Sequence, residues 1–222
     1  MSAKSGAQGA CVSLWGRIFA RYYDAALAAA EEAGLAAMRQ RLLAQASGRT
    51  LEIGAGTGLN LDHYPEGLAS LTLCEPEEPM AQRLRPRAAA HGATVLVSPA
   101  EAIPVADGSV DTVVSTLVLC TVEDPRAAVA EIERVLAPGG RLLFLEHVRS
   151  DDPGLARWQD RWDPVWKRYG HGCRCNRPTV ATLAASGLRV DDVEHARFPK
   201  APAIVRPAVL GVATRPAAEP VA

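Results

Sequence analysis

The chain has 222 residues, 48% of them hydrophobic and 22% charged, and its 24 Lys+Arg against 25 Asp+Glu leave a formal net charge of −1. This is ordinary globular usage for about one domain, which excludes a disordered chain. The near-neutral balance gives no overall attraction to nucleic acid. In chain order, residues 1–10 are small and polar, and Arg17, Arg21 and Asp24 interrupt any candidate secretory signal. No uncharged apolar run reaches the ~18 residues of a membrane span, so a soluble cytoplasmic protein without stable membrane insertion is expected. Residues 13–46, rich in Ala, Leu, Glu, Gln and Arg, predict two helices broken at Gly34. Trp15, Phe19, Tyr22 and Tyr23 share a helical face, suited to ordinary core or to a lid over a binding site. Short apolar runs then alternate with helical stretches. Strands are predicted over 49–53, 70–75, 93–97, 110–116 and 140–148, with helices over 78–91 and 124–137, the second opening on an Asp124 cap and Pro125. Nearly all-apolar strands alternating with helices indicate a parallel sheet covered on both faces. Beyond about 150 come a Trp-rich insert over 151–176, a helix over 177–187, a strand over 188–195, a proline-rich loop over 197–207 and a last strand over 208–214.

The most informative stretch is Leu51-Glu52-Ile53-Gly54-Ala55-Gly56-Thr57-Gly58-Leu59-Asn60, read as a strand, a glycine loop and the opening of a helix. Glycines permit positive φ and close backbone approach, and the first-turn amides of a following helix can bind polar ligand atoms. Glu75, at the tip of the second strand, is placed to grip ribose hydroxyls. The pair points to a nucleoside-containing cofactor. A dinucleotide fingerprint wants glycine where Leu59 stands, and a P-loop wants Lys-Ser/Thr after its last glycine. Neither phosphate signature is met, and Glu52 suits a cationic ligand better than a pyrophosphate. The competing readings are a cofactor-free Rossmann-like scaffold and a nicotinamide oxidoreductase.

LEIGAGTG at 51–58, CEP at 74–76, SPAEAIPVADGSVDTVVSTLVL at 98–119 and ERVLAPGGRLLFLEHV at 133–148 together resemble the ordered motifs of class I S-adenosylmethionine-dependent methyltransferases. The resemblance implies an α/β fold: a Rossmann-like, doubly wound seven-stranded sheet with N-terminal lid helices and an antiparallel final strand. It implies one methyltransferase domain over 1–222, with N-terminal helices at 13–46, a cofactor-binding core at 48–150 and acceptor-side segments at 151–222. The implied cofactor is S-adenosylmethionine, leaving S-adenosylhomocysteine as product. Its site would draw on Glu52, Gly54, Ala55, Gly56, Gly58, Asn60, Glu75, Pro76, Ala100, Glu101, Thr116 and Leu117. One departure is Ser98-Pro99, where the third motif usually begins with Gly-Asp.

TLVLCTVEDPR at 116–126, LEHV at 145–148 and DPVWKRYGHGCRCNRPT at 163–179 further resemble the thiol S-methyltransferases, a group that includes membrane-associated animal enzymes and soluble bacterial relatives acting on small dithiols. This implies methyl transfer to the sulfur of a small-molecule thiol. The alternatives are another small acceptor (a quinone precursor, an amine or arsenite) and, outside enzymes, a catalytically silent cofactor-binding partner. No hydrophobic anchor of the animal type is read at the start of this chain, which favours a soluble role. His147, past the fifth strand, is the leading base candidate, with a core or capping histidine as the alternative. Glu146 should point away from it if the strand stays extended. His171, between two glycines, is the second candidate. Tyr22, Tyr23, Cys120, Trp158 and Trp162 are candidate acceptor-pocket residues. Trp158, Trp162 and Trp166 would share a face on one helix, but Pro164 argues against a continuous helix. Five cysteines, at 11, 74, 120, 173 and 175, are no disulfide framework and suit a reducing interior. Cys173-x-Cys175 lacks a second zinc-spaced pair, so no metal is expected; these thiols and Cys120 read as structural or pocket-lining, and Cys74 as core.

Overall fold

In the computed structural model residues 14–217 are described; Cys11 and the side chains of Trp15 and Phe19 lie outside the described part. Two helices, α1 (Leu14–Ala30) and α2 (Ala36–Leu43), are joined by the wide turn Glu31–Leu35. Gly34 in that turn takes φ 126°, the left-handed side of the map where a side chain would be strained, so the break falls at the expected glycine. Seven strands follow: β1 (Arg49–Ile53), β2 (Ser70–Cys74), β3 (Thr94–Leu96), β4 (Val110–Thr116), β5 (Leu136–His147), β6 (Arg189–Arg197) and β7 (Pro207–Thr214). They form one sheet in the order β3-β2-β1-β4-β5-β7-β6. The pairs among β1 to β5 are parallel, and β7 runs antiparallel to both β5 and β6.

Both faces of the sheet are covered. Along β4 and β5, Val113, Leu142 and Phe144 pack with Val129 and Ile132 of α4 (Pro125–Val135), whereas Val114, Leu143 and Leu145 pack with Leu35, Leu42 and Leu43 on the other side. This strict alternation is the period of two inherent in a strand. It explains why the run reads as continuously apolar in sequence. Asp124 caps α4 through side-chain acceptance from the Arg126 and Ala127 amides at 2.9 and 3.2 Å, with Pro125 at the first position. The remaining helices are α3 (Glu78–Ala90), α5 (Pro153–Tyr169) and α6 (Thr179–Ala184).

Three expectations are corrected. The glycine loop opens no α-helix: one 3-10 turn, Leu61–His63, is all that follows, since Pro65 disfavours a helical residue before it. Leu136 and Ala137 belong to β5, not to the end of α4. Pro164 does not break the insert, which is one 17-residue helix, α5. Successive positions four apart on such a helix rotate by about 40°, so the three tryptophans drift around it. Ala156 and Gln159 are buried, while Trp158 and Trp162 face solvent at 54% and 43% exposure.

Candidate active site

A cavity of about 1070 Å³ lies across the carboxyl ends of the central strands. The strand order reverses between β1 and β4, the place where open α/β sheets bind ligands. Gly54, at the end of β1, and Leu117, just past β4, both wall the cavity. Leu117 holds φ 62°, an uncommon conformation for a branched side chain and a small store of strain at the crevice. Its amide donates to the Leu145 carbonyl at 2.7 Å.

Of the twelve predicted cofactor residues, Gly54, Gly56, Glu75, Pro76, Ala100, Glu101 and Leu117 line the cavity. The Glu75 carboxylate accepts from the Gly56 amide and from the Glu77 amide, both at 2.8 Å, which pins the second-strand acid against the glycine loop. Burial pushes the Glu75 carboxyl up to about 7, against the two amide donors that pull it down. Gly56 has φ 57°, and a Cβ placed there would meet only the Tyr23 ring, at 3.8 Å, so the loop presents open backbone to the cavity. Glu101 also accepts from the Glu123 and Asp124 amides at 2.9 and 3.2 Å, fastening the loop ahead of α4.

Glu52, Ala55, Gly58, Asn60 and Thr116 do not wall the cavity but sit behind it. A Cβ at Gly58 would fall 2.7 Å from Leu61 and 2.8 Å from Leu84, so this third glycine serves close packing on α3. Asn60 donates to Glu52 at 2.8 Å and to Thr116 at 2.8 Å, and Tyr64 donates to Glu52 at 2.7 Å. Arg39 of α2, 3% exposed, enters the same cluster, donating to Asn60 at 2.8 Å, Thr116 at 3.2 Å and Glu31 at 3.0 Å. Burial raises the Glu52 carboxyl to about 7, opposed by the Tyr64 and Asn60 hydrogen bonds and the Arg39 charge. Glu52 therefore braces the loop, and Arg39 offsets the negative field expected of it. Arg39 was not legible in the sequence, where it is one polar residue in a helical run.

Of the candidate catalytic and acceptor-pocket residues, Tyr23, Cys120, His147 and His171 line the cavity. Tyr22, 60% exposed, does not, nor do Trp158 and Trp162; the insert instead contributes Trp166. Burial pushes the Tyr23 phenol up to about 12. The helix bearing Tyr23 is tied to the glycine loop by a hydrogen bond from the Thr57 hydroxyl to Asp24. His147 is 6% exposed and lies against Phe198, ring centroids 4.6 Å apart. Burial lowers its pKa to about 4, with backbone at Val205 and Pro207 pulling the other way. Among the described residues its Nδ1 has no hydrogen-bond partner. His171 reaches across the rim to Glu77, Nε2 to Oε1 3.1 Å. Glu146 points away from the cavity. It accepts from the Ser115 hydroxyl at 2.6 Å and from the Val118, Leu119 and Cys120 amides at 3.0, 3.0 and 3.1 Å, so it builds the turn that carries Leu117 and Cys120. Phe198, Lys200 and Glu77 complete the walls. No spacing in the sequence signalled Phe198 or Lys200, because a loop far along the chain brings them in.

The methyltransferase domain family matches residues 51–144. Human thiol S-methyltransferase TMT1B is 36% identical over 182 residues, covering 78% of this chain and 74% of that protein. Human thiol S-methyltransferase TMT1A is 34% identical over 172 residues, covering 74% and 70%. Among solved structures, an S-adenosylmethionine-dependent methyltransferase from Thermotoga maritima, described as a possible histamine N-methyltransferase, superposes with a TM-score of 0.66 at 22% identity, over 89% of this chain and 98% of that one. The last likeness concerns the fold alone. S-adenosylmethionine fits the residues present: a glycine loop with open backbone, a second-strand carboxylate beside it and no phosphate-binding helix N-terminus after the loop. The chain belongs to the class I S-adenosylmethionine-dependent methyltransferases, in the company of the thiol S-methyltransferases.

Proposed function

We propose that the chain transfers the methyl group of S-adenosylmethionine to the sulfur of a small apolar thiol. The observation that carries this reading is the alignment with the human thiol S-methyltransferases. At 78% of the chain it necessarily includes β4, β5 and α5, and so takes in Cys120, His147 and Trp166 of the cavity wall. Backbone at Gly54 and Gly56 and the Glu75 carboxylate hold the cofactor, which supplies a methyl group activated by a sulfonium. Glu75 would accept from the ribose hydroxyls, and Ala100 and Glu101 would border the adenine. Leu117 floors the centre of the cavity. Val118, Phe198, Val205 and Trp166 exclude water around the acceptor.

The state of His147 favours a sulfur acceptor over a phenol or an alcohol. A base held near 4 takes a proton from a thiol of pKa ~8.5 only at a cost of about 6 kcal/mol, and from a phenol or alcohol at a greater one. His147 is thus a neutral ring that orients the acceptor, and the thiol loses its proton to solvent. Placement then supplies most of the acceleration. The test is a panel of apolar thiols, amines, phenols and arsenite with methyl-labelled donor. S-methyl products alone are expected, with a rate that rises with pH and follows the acceptor's own pKa when the thiol is changed. N- or O-methylation alone would displace the reading, and a pH profile indifferent to the acceptor would return proton transfer to the protein.

A further inference from the structure

Two free cysteines meet on the wall of this cavity. Cys120, in the turn after β4, and Cys173, after the Gly170-His171-Gly172 bend, have their sulfurs 3.9 Å apart, and both line the cavity. Their strands of chain are held side by side, since the Arg174 amide donates to the Cys120 carbonyl at 2.8 Å. A disulfide needs an S–S distance of about 2.05 Å, so the pair must close by less than the length of one S–S bond. Gly172, at φ +92°, supplies a pliant backbone next to Cys173. Among the described residues no group of three or more His, Cys, Asp or Glu is arranged to hold a metal ion.

We propose that Cys120 and Cys173 form a thiol–disulfide exchange site that takes small uncharged organic disulfides and releases them as thiols. The cavity supplies access for a small molecule and denies it to a macromolecule, because the two cysteines are 1% and 8% exposed. The two sulfurs are also unequal. Their contact lowers Cys173 below the ordinary thiol range, aided by the Trp166 indole N–H and the Arg177 charge, and the same contact, with burial, raises Cys120. Cys173, the more exposed of the two at 8% against 1% and next to the pliant Gly172, is the attacking thiolate, and Cys120 the resolving one. The Cys173 sulfur bonds to one sulfur of the ligand, the ligand S–S bond breaks, and the leaving thiolate takes up the proton that left Cys173. Cys120 then attacks Cys173 in the mixed disulfide and expels the second ligand thiolate, which takes up the Cys120 proton. One organic disulfide becomes two thiols, and the two cysteines are oxidised to a disulfide. A reducing thiol from solution restores the pair by the reverse exchange. The site stands whichever atom accepts the methyl group.

The test uses the full-length reduced chain under anaerobic conditions, with 2-hydroxyethyl disulfide as probe, alkylating quench and peptide mapping by mass spectrometry. In the wild-type chain a Cys120–Cys173 link is expected, with two equivalents of free 2-mercaptoethanol for each link formed. C120S should stall as a mixed disulfide on Cys173. C173S should react at least tenfold more slowly. The wild-type mapping stands even if a variant fails to fold. No reaction, a link elsewhere, or stable mixed disulfides on both cysteines of the wild-type chain would overturn the proposal.

Discussion

Glu52 shows how burial and hydrogen bonding compete at a single residue. It accepts from Asn60 and Tyr64 and lies near Arg39, yet its carboxyl is raised to about 7 because desolvation outweighs these. An unfolded glutamate titrates near about 4.3, so between these values the folded chain binds the extra proton. The stability this residue contributes is complete below the unfolded value and is lost as pH rises through about 7. His147 has the opposite sign. Its folded value near 4 lies below the ordinary histidine value, so its contribution is present above about 6.5 and is lost as pH falls toward 4. Glu52→Gln keeps an acceptor for Asn60 and a donor for the Tyr64 oxygen while removing the ionisable group. Its stability relative to wild type should improve by about 1–3 kcal/mol between pH 5 and pH 8, as read from urea midpoints at each pH. A difference that does not vary with pH would place the raised carboxyl elsewhere.

At the level of elements, α5 carries the clearest contrast between what was legible and what was not. Gln159 is fully buried: its amide donates to the carbonyls of Val148, Cys175 and Ile204 at 3.0, 2.8 and 2.9 Å, and its oxygen accepts from the Ser150 amide at 2.8 Å. One side chain thus fastens α5 to the end of β5, to the cysteine loop and to the segment before β7. Gln159→Leu strands buried polar groups and should cost about 2–4 kcal/mol. Trp158→Ala, one position away on the exposed face, should cost no more than about 0.5 kcal/mol. Chemical denaturation of the two variants reads the orientation of the helix directly, and a reversed order would refute it. In sequence the tryptophans draw attention and the glutamine does not, because aromatic periodicity announces a face without saying which way it turns. Pro164 misleads for a related reason: it forfeits one hydrogen bond to the Asp160 carbonyl, and the packing of Ala156 and Gln159 can hold the helix regardless. The buried strands were legible within a residue or two because their apolar runs have no solvated face, except that β5 begins at Leu136, four residues ahead of its expected start. The link between β1 and β2 was not, since the glycine loop that marks the site looks the same whether or not a helix follows it.

For the whole molecule, the site is an assembly of distant segments. Gly54 and Leu117 come from strands flanking the reversal of strand order, Tyr23 from α1, Phe198 from the loop after β6, and Trp166 and Cys173 from the insert. The ordered motifs from 51 to 148 mark the first of these, because local spacing encodes a strand–loop unit. The others depend on how the chain returns, which spacing does not encode. Because the cavity joins these segments, a ligand filling it couples their stabilities. S-adenosylmethionine at a hundredfold its dissociation constant should add about 2.7 kcal/mol to unfolding, which for a chain of this size is a rise of about 5–10 °C in melting temperature. Nicotinamide dinucleotide at the same concentration should add nothing, since no glycine stands at Leu59 and no helix opens after the loop to receive a diphosphate. Glu75→Ala should lose most of the rise at that concentration, because the carboxylate proposed to receive the ribose also sets the Gly56 amide. Equal shifts from the two nucleosides would show that the crevice does not discriminate by charge. A shift that survives in Glu75→Ala would move the ribose contact away from the tip of β2.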